Sequence, residues 1–265
     1  MTFDPPQNDD ASARRREPLF TAPPILARLG FALIVAYIAL RLLPPGLRPA
    51  VERYFELTPA AFLAGVGGPA ATFAPLVGHM FQHADLIHLG SNSVWLLAFG
   101  APVARRLEAG GVAGPALRLG GRGEAPEPWR HEPEAAPRRA WAGVAFALLF
   151  FTSGVFGALV HVAFHPSEAI PLVGASGGVS GLLGALVRFA FRRPPVFSRG
   201  PQPLAPLGDP VVLMWSTAIV ALNVGVGVFG LGLGGADISV AWLAHLGGYF
   251  FGLAAFPAFD AMTRA

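Results

Sequence analysis

Apolar residues fall into six long runs, divided by stretches rich in proline, glycine and arginine. A helix that crosses a bilayer needs roughly 20 mostly apolar residues. The runs near 25–43, 86–103, 141–164, 176–193, 210–230 and 241–259 approach that length. The pattern predicts an all-α polytopic membrane protein, a bundle of six transmembrane helices. The fourth span is short, because Arg188, Arg192 and Arg193 interrupt its end. Two connections stand out. Residues 44–85 carry apolar side chains such as Phe62, Leu63 and Phe73, too many for a solvated linker, and are expected to lie on or partly in the bilayer interface. Residues 104–140 are rich in Gly, Pro, Arg and Ala and are expected to be mostly disordered.

Composition supports this reading. Of the 265 residues, 53% are hydrophobic and 13% charged, against about 25% charged in soluble domains. Mean hydropathy is +0.53. Cysteine is absent, which excludes a disulfide framework and a thiolate metal site. All 19 basic residues are arginine. They flank the apolar runs, so the high pI reflects membrane orientation and not nucleic-acid binding. With the N-terminus inside, sixteen arginines fall on the cytoplasmic side; only Arg41, Arg48 and Arg53 fall outside. Both termini are therefore expected to be cytoplasmic, in a bacterial cytoplasmic (inner) membrane. The polar first 24 residues contain no apolar h-region, so no cleavable signal peptide is expected. The expected division is a disordered tail over 1–24, a membrane core over 25–260 with 104–140 as a cytoplasmic insert, and a short tail over 261–265.

Ionisable residues inside a membrane are costly and mark function by default. No Asp or Glu lies within the six runs; His88, Asn92, His161, Ser176 and His245 do. Ser176 sits in Gly174-Ala175-Ser176-Gly177-Gly178 at the start of the fourth run. Small neighbours leave its hydroxyl open to a substrate carbonyl. A helix N-terminus offers unpaired N–H groups to a developing anion. Twelve residues separate Ser176 from Arg188, about 18 Å of helix. If Arg188 marks the inner edge of a core about 30 Å thick, the hydroxyl lies within the membrane. His245 precedes Gly248 and Gly252, as Ser176 precedes Gly177 and Gly181. Glycines four apart let helices approach closely, near enough for an imidazole to take the proton of a serine hydroxyl. The same glycines also serve plain packing, and neither residue alone decides the chemistry. His88 and Asn92, four apart on one helix face, can both donate hydrogen bonds to an oxyanion. His79 and His83 are expected to order the preceding loop. Paired histidines also suit zinc, but His-Glu-x-x-His is absent and no carboxylate in the spans serves as base.

Three motifs occur in order: His79-Met80-Phe81-Gln82-His83 running on to His88 and Asn92, Gly174-Ala175-Ser176-Gly177, and Ala244-His245 with Gly248 and Gly252. Together they resemble the rhomboid family of intramembrane serine proteases over residues 25–259. The resemblance implies Ser176 as nucleophile and His245 as base. His88 and Asn92 would assist the oxyanion, with the Ser176 backbone N–H. It implies transmembrane-protein substrates cleaved within the lipid bilayer near its outer face and entering beside the second and fifth spans. It implies no cofactor and no metal. Two positions depart from the family pattern: Ala74 and Pro75 stand where Trp-Arg is common, and Ser180 stands where an aromatic ring often packs on the catalytic histidine. The alternative is a catalytically silent relative that binds transmembrane clients; intact Ser176 and His245 argue against it. A transporter or channel fits poorly, since no repeat is evident and the spans hold no acid.

Overall fold

The computed structural model describes residues 22–65, 68–110, 135–191, 203–229 and 241–264. The disorder expected for 1–21 and 111–134 lies outside the described residues. Nine α-helices are described: α1 (Pro24–Leu42), α2 (Arg48–Phe55), α3 (Pro59–Leu63), α4 (Gly68–Gly78), α5 (Leu86–Glu108), α6 (Ala135–Phe164), α7 (Ser176–Val187), α8 (Pro210–Phe229) and α9 (Trp242–Ala261). Five of them, α1, α5, α6, α8 and α9, are long and apolar enough to cross a membrane, and α7 is a shorter apolar helix. The protein is an integral, multi-pass, all-α membrane protein.

Its surface is that of a helix bundle in lipid. Phe31, Ile38, Ile87, Trp95, Leu213 and Leu222 are exposed, a distribution a soluble fold does not sustain. The main core lies where α1, α5, α6, α7 and α9 converge, around Leu33, Leu96, Phe146, Phe150, Leu182 and Phe256. The central helix is α7, and nine of its twelve residues are buried.

Glycine sets how close the neighbours come. A Cβ at Gly248 would collide with the Gly177 carbonyl oxygen, and one at Gly252 with that of Gly181. The two glycine pairs thus face each other across the α7–α9 seam, main chain against main chain. A second seam joins α6 to α9, where a Cβ on Gly247 would stand 2.9 Å from Gly157 Cα.

Four boundaries differ from the sequence expectation. The fifth and ninth helices run on to Glu108 and Ala261, past the apolar windows, and so bring charge inside. Arg106 donates from Nε to Asp260 Oδ1 at 2.8 Å and from Nη2 to Oδ2 at 3.0 Å. Asp260 is fully buried. Arg106 also lies over the Phe189 ring, 4.9 Å from its centre, and Arg264 pairs with the same carboxylate. Helix α6 begins at Ala135, so the edges of the 104–140 segment are helical and not disordered. Helix α7 ends at Val187, short of 193. Arg188 turns back instead, donating to the backbone oxygens of Ala205 at 2.7 Å and Leu253 at 2.6 Å.

The 44–85 connection folds into α2, α3, α4 and a 3-10 turn, His79–Phe81. It exposes Leu47, Tyr54, Leu63 and Phe73, the apolar surface expected of a segment at a bilayer interface. Inwardly it is pinned by Met80, which is fully buried and lies against Gly154 and Gly178.

Candidate functional site

Ser176 is the first residue of α7, and no side chain caps that N-terminus. His245 lies in the first turn of α9. The glycine seam between the two helices holds these turns together, and His245 Nε2 stands 2.8 Å from Ser176 Oγ. The other imidazole nitrogen, Nδ1, is 3.2 Å from Asn223 Oδ1 on α8. Asn223 Nδ2 donates to the Ile219 carbonyl at 2.9 Å, which turns Oδ1 toward the ring. An amide oxygen only accepts, so the imidazole proton belongs on Nδ1. The Nε2 lone pair then faces the serine hydroxyl.

The sequence reading passes over Asn223. Its signal is a lone carboxamide in the otherwise apolar run 210–230, the same signal that singled out Asn92. Ser180, at the position of the aromatic ring common in the family, is half-buried.

His88 and Asn92 are positioned by a helix cap. Asp85 precedes α5 and accepts the His88 backbone N–H at 2.7 Å, a contact worth about 1 kcal/mol at such positions. His88 thus sits in the first turn of α5, with Asn92 one turn on. Both reach Gly174, just ahead of the serine. A Cβ there would stand 2.7 Å from His88 Nε2 and 3.7 Å from Asn92 Nδ2. Gly174 also has φ +111, a conformation that L side chains rarely adopt. Glycine is needed there twice, for the turn and for the space. Asn92 Nδ2 spends one N–H on the His88 carbonyl at 3.0 Å and has a second to offer.

His79 and His83 stand behind this site. The His79 carbonyl accepts from Gly174 N at 2.8 Å, and its Nδ1 lies 2.7 Å from the Pro75 carbonyl oxygen. Burial pushes the His79 imidazole down to about 4, against the pull of that carbonyl. The His83 ring packs edge-on to His88, centres 5.1 Å apart. Burial, and then the neighbouring His88, push it down to about 4 as well. The loop lacking Trp-Arg is anchored through main chain: Leu57 and Leu172 exchange backbone hydrogen bonds at 3.2 and 2.8 Å, and Ala60 N donates to the Glu168 carbonyl at 3.1 Å. Gln82 adds a bond to the Glu52 carbonyl at 2.9 Å.

The site therefore brings together Ser176, His245 and Asn223, with His88 and Asn92 beside the glycine turn that leads into the serine. A hydroxyl held on an imidazole, next to side-chain N–H donors and an uncapped helix N-terminus, is an arrangement suited to acyl transfer.

No curated protein matches the chain. The family model of the Rhomboid domain matches residues 70–113 and 138–259, more than half of the chain and every helix of the site. The chain belongs to the rhomboid family, whose members are generally intramembrane serine proteases.

Proposed function

We propose that this chain is an active intramembrane serine endopeptidase that cleaves transmembrane proteins. The observation that carries the reading is the 2.8 Å contact between His245 Nε2 and Ser176 Oγ. A serine hydroxyl is a weak nucleophile until an adjacent base takes its proton. His245 takes that proton as Ser176 Oγ attacks the scissile carbonyl. Negative charge develops on the carbonyl oxygen, where His88, Asn92 and the first N–H groups of α7 stabilise it. His245 then gives the proton to the leaving amine, and the C–N bond breaks. Water, deprotonated by the same imidazole, opens the acyl-enzyme and restores the serine. Asn223 is a positioning residue: it holds the tautomer in which Nε2 is free to act as base, the role a third group plays in other serine and cysteine hydrolases.

The arginine distribution supports cytoplasmic termini and an active serine nearer the outer face. The membrane core over 25–260 is the proteolytic unit. Substrates are single-span segments in the bilayer, and no cofactor takes part in the peptide hydrolysis.

The test is a serine-directed fluorophosphonate probe on the purified full chain, with cleavage of a panel of single-span substrates alongside. Wild type should label and cleave, and Ser176→Ala and His245→Ala should do neither while remaining helical. Cleavage by Ser176→Ala removes the assignment. A folded wild type that neither labels nor cleaves identifies a silent binder of transmembrane clients.

A further inference from the structure

A second cluster of chemistry-bearing side chains lies where α6 ends and the chain turns toward α7. His161 is in the last turn of α6, and the His165 backbone N–H still closes on the His161 carbonyl at 2.9 Å. The two imidazoles are four apart on one helical face, with ring centres 4.8 Å apart. A tight turn follows, in which Glu168 N donates to the His165 carbonyl at 3.1 Å. It brings the Glu168 carboxylate back over the rings, with Oε2 3.0 Å from His161 Nε2. One ligating atom from each residue falls within 4.8 Å of the others.

These groups are poorly satisfied by the protein. His161 is only 6% exposed. Its Nδ1 and the His165 Nδ1 are buried without a hydrogen-bond partner among the described residues, and the Glu168 Oε2 has only the 3.0 Å ion-pair contact with His161 Nε2. A buried polar group left unsatisfied is costly.

We propose that His161, His165 and Glu168 form a binding site for a divalent transition-metal ion of the Zn²⁺ class. Two imidazoles and one carboxylate suit a borderline cation. Zinc takes such donors at about 2.0–2.2 Å in tetrahedral array, with a fourth position open to water. Tetrahedral donors at that radius stand roughly 3.3–3.6 Å apart, a spacing between the 3.0 Å that separates Glu168 Oε2 from His161 Nε2 and the 4.8 Å that bounds the trio. The proposal departs from the expectation of no metal stated above; the cluster lies outside the Ser176–His245 contact. Its place gives it a structural role. The Glu168 carbonyl binds Ala60 of α3, and Leu172 pairs with Leu57. A cation here fastens the end of α6, the first loop and the segment leading into Ser176 at one point.

The test uses the full chain in detergent, stripped with a chelator, exposed to ZnCl₂ and dialysed against metal-free buffer. Elemental analysis should find about one zinc retained per chain, as a single three-ligand site requires, and the thermal midpoint should rise on adding ZnCl₂. The variants His165→Ala and Glu168→Gln, neither of which touches the serine or its base, should lose both effects while keeping wild-type helicity. Wild type retaining no more zinc than these variants overturns the proposal, and so does undiminished retention by both. Neither readout depends on proteolysis, so the result stands whether or not the chain cleaves peptides.

Discussion

The substitution Gly248→Ala adds one methyl group at the α7–α9 seam. Its Cβ would collide with the Gly177 carbonyl oxygen and stand 2.9 Å from Gly177 C, against the about 3.5–4.0 Å of ordinary carbon contact. Both obstacles are main chain, so no rotamer change relieves them. The first turn of α9 must retreat by roughly 0.6–1 Å to regain contact distance. His245 is three residues away on the same face and moves with it. The 2.8 Å hydrogen bond to Ser176 Oγ then lengthens beyond the about 3.2 Å reach of a working base. A misplacement near 1 Å costs about 10²-fold in rate. Gly248→Ala should therefore lower kcat about 10²-fold on a single-span substrate, with its helical spectrum retained. Gly30→Ala on α1 is the control, since a Cβ there meets nothing within 4 Å, and helix propensity alone favours alanine by about 1 kcal/mol. Wild-type kcat in Gly248→Ala would refute the argument that the glycine seam sets the serine–histidine distance.

Three further outcomes are expected. Asn223→Ala frees the imidazole to take either tautomer, and kcat should fall about 10–10²-fold, in the range seen for partners that orient a functional histidine; an unchanged kcat, or a loss confined to KM, refutes a positioning role. Arg106→Ala leaves Asp260 with Arg264 as its one remaining ion-pair partner among the described residues and should destabilise the chain by up to about 3–5 kcal/mol, read from denaturant or thermal unfolding in detergent, with Arg106→Ala/Asp260→Ala regaining part of the loss. His79 is held neutral by burial, with its pKa lowered from 6.5 to about 4. The unfolded chain therefore binds the proton first as pH falls, and stability is complete above about 6.5 and lost between there and about 4, by up to roughly 3 kcal/mol; His83 acts in the same direction. A thermal midpoint that stays flat from pH 7 to 4.5 contradicts this.

The parts of the fold legible in the sequence are those that depend on one segment at a time. Six apolar runs announce six helices, and glycines four apart at 177/181 and 248/252 announce the seam in which they meet. Asp260 was not legible, because a charge next to an apolar run reads as a solvated end; its partner Arg106 lies 154 residues away. Asn223 shows in the sequence as a lone carboxamide within its run, but its role lies in a contact with His245 across 22 residues. The end of α7 is hidden because Arg188 finds its carbonyl partners at Ala205 and Leu253, not in neighbouring sequence. At the site, residue types and order point to Ser176, His245, His88 and Asn92. Their separation is a property of packing that spacing alone does not give.

The placement of His245 and Asp260 on the same helix bears on biogenesis. Chains emerge from the N-terminal end, and α9 follows every other described helix. Until it docks, Ser176 lacks the His245 imidazole, Arg106 lacks the Asp260 carboxylate, and the glycines of α7 lack those of α9. One late docking event closes the core, pairs Arg106 with Asp260 and brings His245 to the serine. On the proposed mechanism the serine has its base only once the last described helix has docked, so proteolysis would double as a report that this helix is correctly inserted.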